Sequence, residues 1–83
     1  MKTFTVKLKT PIKRGETEIS EIELQEPTVM ALQELEVNAV IRGDVAQLVM
    51  LLPRITDLTE QEVKSLSFAN IAAFSMRIVN FLA

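Results

Sequence analysis

The sequence predicts an α+β fold, an N-terminal two-stranded antiparallel β-hairpin followed by three to four short α-helices. Three observations carry that prediction. Apolar and polar residues alternate over residues 3–9 and again around 21–24, the period of half-buried strands, with Gly15 between the two runs. Pro27 closes the second run, because proline cannot donate to a central ladder. From residue 28 onward the apolar spacing becomes helical and is punctuated by Thr28, Asp44, Thr59 and Ser67, all suited to capping a helix start. Eighty-three residues make one domain, 1–83, with the hairpin in 1–26 and the helical part in 28–83.

In the first strand Phe4, Val6 and Leu8 share one face, and Thr5, Lys7 and Lys9 the other. Pro11 ends it, and Lys13-Arg14-Gly15-Glu16 carries the turn, with Gly15 free to adopt a positive φ. Ile22 and Leu24 then point inward, with Glu21 and Glu23 outward. Basic residues gather in the first strand (Lys7, Lys9, Lys13, Arg14) and acidic ones in the second (Glu16, Glu18, Glu21, Glu23), so opposite charges face each other across the pair. Two registers keep both apolar sets on one face. One sets Leu8 opposite Ile22 and Lys7 opposite Glu23. The other sets Leu8 opposite Ser20 and Lys7 opposite Glu21, with Gly15 last in a three-residue loop.

The first helix is expected from about Val29 to Ile41, capped by Thr28. It has two apolar stripes, Leu32, Leu35 and Ala39 on one side and Met30, Val37 and Ile41 nearly opposite. Such a helix is sandwiched, either inside its own domain or between the domain and a partner. Gly43 suits the left-handed position after a helix, and Asp44 caps the next one, with Gln47 reaching back. That second helix, Val45 to about Ile55, turns Leu48, Leu51, Leu52 and Ile55 inward. Pro53 implies a kink or a 3₁₀ finish. Thr59-Glu60-Gln61-Glu62 is a capping box opening a short helix to about Leu66. Ser67 caps a last helix from Phe68 to Leu82, on whose wheel Asn70, Arg77 and Asn80 form a polar arc with Phe74 and Phe81 in or beside it.

Composition removes several classes of function. With no Cys and no His, neither thiolate metal sites nor Ser-His and Cys-His nucleophiles are available. The glycines, Gly15 and Gly43, cannot build a phosphate cradle, and no cofactor is expected. The chain is therefore read as a non-enzyme. Nine scattered basic residues, a net charge of −2 and a pI near 5.1 argue against nucleic acid as a partner. No apolar run approaches the ~20 residues of a membrane span, and the alternating N-terminus is not a signal peptide. Yet 48% of the residues are apolar and the mean hydropathy is +0.24. That excess fits either apolar surface facing another chain or an unusually well-filled core.

The order of signals carries a resemblance. Lys9-Thr10-Pro11-Ile12 ends the first strand, Gly15-Glu16 turns it, and Ile22-Glu23-Leu24-Gln25-Glu26-Pro27-Thr28 follows. Gly43-Asp44-Val45-Ala46 then leads into a leucine-rich helix, Thr56-Asp57-Leu58 precedes a short acidic one, and the chain closes on Asn80-Phe81-Leu82. Over essentially its whole length this resembles the small tail assembly chaperones of Mu-like and related contractile-tailed phages and prophages. Pro53 departs from the pattern, where a helix-compatible residue is expected. The resemblance implies a protein of the bacterial host's cytoplasm that binds the long helical tape measure protein, with the tail tube protein as a second candidate partner, and keeps the former soluble during tail assembly. It also implies a longer product from a ribosomal frameshift, and no catalytic residues. The alternative is a structural tail or baseplate subunit, or a small dimerising adaptor.

Phe74 and Phe81, helped by Met30 and Ile41, are the expected partner-binding residues. They are the large apolar side chains that one small core hides least easily, unless the hairpin folds over them. Met30, Met50 and Met76 would add deformable contacts. The double-striped first helix and the apolar last one predict a homo-oligomer, with a C₂ dimer as the commonest arrangement.

Overall fold

The alternation of Val6 and Leu8, and of Ile22 and Leu24, dictates two strands that bury one face, and all four side chains are buried in the computed structural model, which describes residues 3–82. Strand β1 (Thr3–Arg14) pairs antiparallel with β2 (Thr17–Gln25). At the open end the ladder sets Val6 opposite Ile22 and Lys7 opposite Glu21, the second of the two registers. Beyond the ladder's middle the register resets, to Ile12 opposite Ile19 and Arg14 opposite Thr17. Residues 8–11 of β1 therefore span what Ser20 alone spans in β2, a large bulge that ends at Pro11. The reset replaces the expected three-residue loop by a two-residue turn, Gly15-Glu16, with Gly15 at φ +66°. A glycine with positive φ in the first central position fits a type II′ turn, whose twist matches that of the flanking strands.

Among the described residues five helices follow: α1 (Val29–Leu32), α2 (Val37–Ile41), α3 (Val45–Ile55), α4 (Glu60–Lys64) and α5 (Phe68–Leu82). The continuous helix expected over 29–41 is broken. A straight helix would have to cover two opposite stripes at once. Instead Glu34 adopts φ +68° and reorients the chain, so that Ala31, Ala39 and Val40 are buried while Met30 and Val37 stay exposed. Left-handed backbone at a non-glycine residue costs about 1–2 kcal/mol. Bonds from α3 offset it. Arg54 Nη1 donates to the carbonyls of Ala31 and Gln33, both at 2.9 Å, and Gln47 Oε1 accepts the Glu36 N–H at 3.0 Å. Gln47 thus braces the break instead of reaching back to Asp44.

The remaining boundaries follow local chemistry. Gly43 (φ +79°) closes α2, its N–H donating to Val40 and that of Asp44 to Ala39, each at 3.0 Å, the paired bonds of a Schellman motif. Asp44 Oδ1 then caps α3 by accepting the Gln47 N–H. Helix α3 stays α-helical through Pro53 to Ile55 without a 3₁₀ finish, since proline this near the end forfeits one bond. The Thr59–Glu62 capping box is present in both directions, and Ser67 Oγ accepts the Asn70 N–H at the start of α5.

Hairpin and helices share one core. Val6, Leu8, Ile22 and Leu24 pack in a cluster with Leu48, Leu51, Leu52 and Ile55 of α3, Val63 of α4, and Ile71, Phe74 and Ile78 of α5. Each such side chain contributes about 1.5–3 kcal/mol on burial. At the turn end Arg14 grips the helices, its Nε and Nη2 meeting the two Glu62 carboxylate oxygens at 2.9 and 3.0 Å while Nη1 reaches Asp57 at 3.3 Å. These hydrogen bonds hold the Glu62 carboxyl below its ordinary range, with a further contribution from the Thr59 N–H.

Candidate partner-binding surface

Which face of α5 turns outward decides what this molecule offers to others, and Asn70 fixes that choice. Pro11 and the bulge leave amides of β1 without a strand partner. Asn70 Oδ1 accepts the N–H groups of Lys9 (2.8 Å) and Thr10 (3.1 Å), and Nδ2 donates to the Thr10 carbonyl (2.8 Å). The carboxamide thereby takes the place of a neighbouring strand's peptide group. Asn70 is fully buried, and among the described residues no buried side-chain nitrogen or oxygen lacks a partner. The expected polar arc is thus split. Asn70 points inward, while Arg77 and Asn80 are exposed beside β1.

With Asn70 facing the hairpin, Ile71, Phe74 and Ile78 are drawn into the core. This corrects the expectation that Phe74 lies among solvent-facing positions: its exposure is 0%, because the hairpin's apolar face closes over it. Phe81 is half-buried, its ring edge-on to Phe4 with centroids 5.0 Å apart, and the Arg77 guanidinium carbon lies 5.9 Å from the centroid of the Phe4 ring. Ile41 is half-buried at the end of α2. Met30 is 77% exposed on α1, far more open than the other three. The four residues therefore do not make one patch.

The outward side of α5 carries a different set. Phe68 is 78% and Met76 72% exposed, and at helical spacing Ala69, Ala72 and Val79 lie between or beside them. Half-buried Ile41 and exposed Val45 flank Gly43, whose position allows a Cβ only 3.2 Å from Ser75 Oγ. That corner meets α5 one turn from Ala72 and from Val79. Phe68 was missed in the sequence because it sits in the first turn, next to its cap. The signal available was the stripe Phe68, Ala72, Met76 at four-residue steps, which has no polar member. Met30, Met50 and Met76 are all exposed, so these methionines face solvent rather than filling the core.

Nothing in this surface suggests chemistry of its own. Among the described residues no three Asp or Glu side chains gather as metal ligands would. Among the described residues no helix is long and apolar enough to cross a membrane.

Comparison with known proteins agrees over the full length. Residues 5–83 match the model of a family described as phage tail assembly chaperone proteins, E, or 41 or 14. The chain is 36% identical over 84 residues to a protein named tail assembly protein E of Escherichia phage P2, covering 99% of this chain and 92% of that relative. It is also 36% identical over 83 residues to tail assembly protein E′ of the same phage, covering 98% of this chain but 58% of that longer relative. No solved structure matches.

Proposed function

Because the chain belongs to the family of phage tail assembly chaperones, we propose that it acts by binding, without catalysis, and that it holds the tape measure protein soluble in the host cytoplasm until the tail tube protein assembles around it. The observation that carries this reading is the outward face of α5. Phe68 and Met76 are about three-quarters exposed on a 15-residue helix whose opposite side is the core. Such a helix docks an apolar helical segment along its length, and methionine adapts to segments of differing shape. Met30 on α1, and Ile41 with Val45 at the corner before α3, extend the apolar surface beyond α5. Phe81 lies apart from it, packed edge-on against Phe4 of the hairpin. Phe74, on the opposite side of α5, anchors that helix in the core.

In the free protein the same face is satisfied by a second copy, which makes a C₂ dimer the resting form. Its two halves separate when the partner arrives. The test is co-expression with tape measure fragments. Phe68→Ser and Met76→Ser should leave folding intact and lose the fragment to the insoluble fraction, since removing a central anchor costs about 2 kcal/mol or more of binding. Retained solubilisation by the doubly substituted protein would refute the assignment of this face. A strict monomer in light scattering would refute the dimer.

A further inference from the structure

Between β1 and α5 runs an open groove of about 490 Å³, with Lys7 and Lys9 on the strand side and Ala73, Met76, Arg77 and Asn80 on the helix side. In a chain of net charge −2 this groove gathers three cations. No carboxylate of a described residue lies within 4.0 Å of Lys7, Lys9 or Arg77, not even that of Glu21, the ladder partner of Lys7. Arg77 is also oriented. Its guanidinium stands over Phe4 at 5.9 Å, and Phe4 is braced edge-on by Phe81 at 5.0 Å, so the charge is held in place before any ligand arrives. Met76 lines the groove and belongs to the outer face of α5 as well, which makes the two surfaces continuous.

We propose that this groove receives acidic residues flanking the apolar stripe of a partner helix seated on α5, with Lys7, Lys9 and Arg77 supplying the complementary charge. The proposal rests on the reading that α5 docks a helix, and it adds which helices are accepted. The apolar face provides adhesion, and the cations set orientation and reject segments with basic flanks. A nucleic acid fits less well. Val6, Ala73 and Met76 make part of the wall apolar beside Thr5 and Asn80, where a phosphate-tracking surface would be polar throughout.

Two synthetic helices of about 20 residues, long enough to hold helical structure, test this with the full chain. Both carry the same leucine stripe, one flanked by glutamate and the other by lysine, and binding is followed by fluorescence anisotropy. The glutamate-flanked peptide is expected to bind about tenfold more tightly at low salt, three exposed ion pairs each being worth up to about fivefold. Lys7→Gln, Lys9→Gln and Arg77→Gln together should erase the preference, and glutamate at the three positions should invert it. About 1 M salt, which shortens the reach of these charges to roughly 3 Å, should erase it too. Circular dichroism checks that the variants fold. Equal affinities, failure of both peptides to bind, or tighter binding of a DNA duplex through the same three residues would each overturn the proposal. The chaperone reading fails separately, if the unsubstituted protein does not keep a co-expressed tape measure fragment soluble.

Discussion

Replacing Asn70 by alanine removes one side chain and strands three backbone groups. The carboxamide accepts from the Lys9 and Thr10 amides and donates to the Thr10 carbonyl, with distances of 2.8 to 3.1 Å and no exposure. Each such bond is worth about 0.5–1.5 kcal/mol net, and a buried group left unpaired costs about 1–3 kcal/mol. Three losses at full burial would sum to several kcal/mol. The site is not sealed, however. Thr10 and Asn70 line a groove of about 450 Å³ shared with Gln61 and Ser65, so water reaches part of the vacated space. The expected loss is therefore about 3 kcal/mol, a large share of the stability of a domain this small. In urea, with a slope near 1 kcal/mol/M for a chain of this size, the midpoint should fall by about 3 M or the variant should lose its transition altogether. Asn80→Ala, exposed on the same helix, should stay within about 0.5 kcal/mol. Hydrogen exchange gives the local readout, with the Lys9 and Thr10 amides losing protection before those of Val6 and Ile22. If Asn70→Ala behaves like Asn80→Ala, water substitutes fully for the carboxamide and the account of how α5 is oriented is wrong.

Three further outcomes are expected. Phe74→Ala should cost about 3–5 kcal/mol of stability by thermal or urea unfolding, whereas Phe68→Ala should change it by no more than about 0.5 kcal/mol. A comparable loss at both positions would contradict the burial pattern. Gly43→Ala should destabilise by about 1–2 kcal/mol, because φ is +79° and the new Cβ would stand 3.2 Å from Ser75 Oγ. Glu62 has a folded pKa below its ordinary value of 4.5, so its pairing with Arg14 contributes above that value and is lost as pH falls through the folded pKa. Urea midpoints measured from neutral pH into the acid range should fall less steeply in Glu62→Gln, and an unchanged profile would remove Glu62 from the acid sensitivity.

The parts legible in the sequence are those set by neighbours along the chain. Val6, Leu8, Ile22 and Leu24 announce their face by alternation alone. Thr28, Asp44, Thr59 and Ser67 announce helix starts because each caps an amide within three residues. What stayed hidden depends on distant partners. The bulge is satisfied by a side chain 61 positions away, and the only local hint was that Pro11 must interrupt the ladder. The break at Glu34 has no glycine to mark it, and it is held by Arg54 and Gln47 from another helix. The inward turn of Phe74 followed from Asn70. An asparagine on a helical wheel is read as outward, but a fully paired carboxamide is as much at home inside as a leucine. The registers could not be separated by pattern because the ladder's two ends are set three positions apart.

The division of the segment after the hairpin into two helices has a dynamic consequence. Helix α1 fully buries Ala31 and packs half-buried Leu32 against the core, and what else ties it down is the Thr28 cap and the pair of bonds from Arg54. Lifting α1 off α3 therefore exposes little apolar area while the shared core stays closed. It defines a local opening whose free energy lies well below that of global unfolding. The hinges for such an opening are already built, at Glu34 on one side and Pro27 on the other. Hydrogen exchange should therefore show α1 opening before the shared core, and that segment carries Val29 and Met30, two of the most exposed apolar side chains among the described residues.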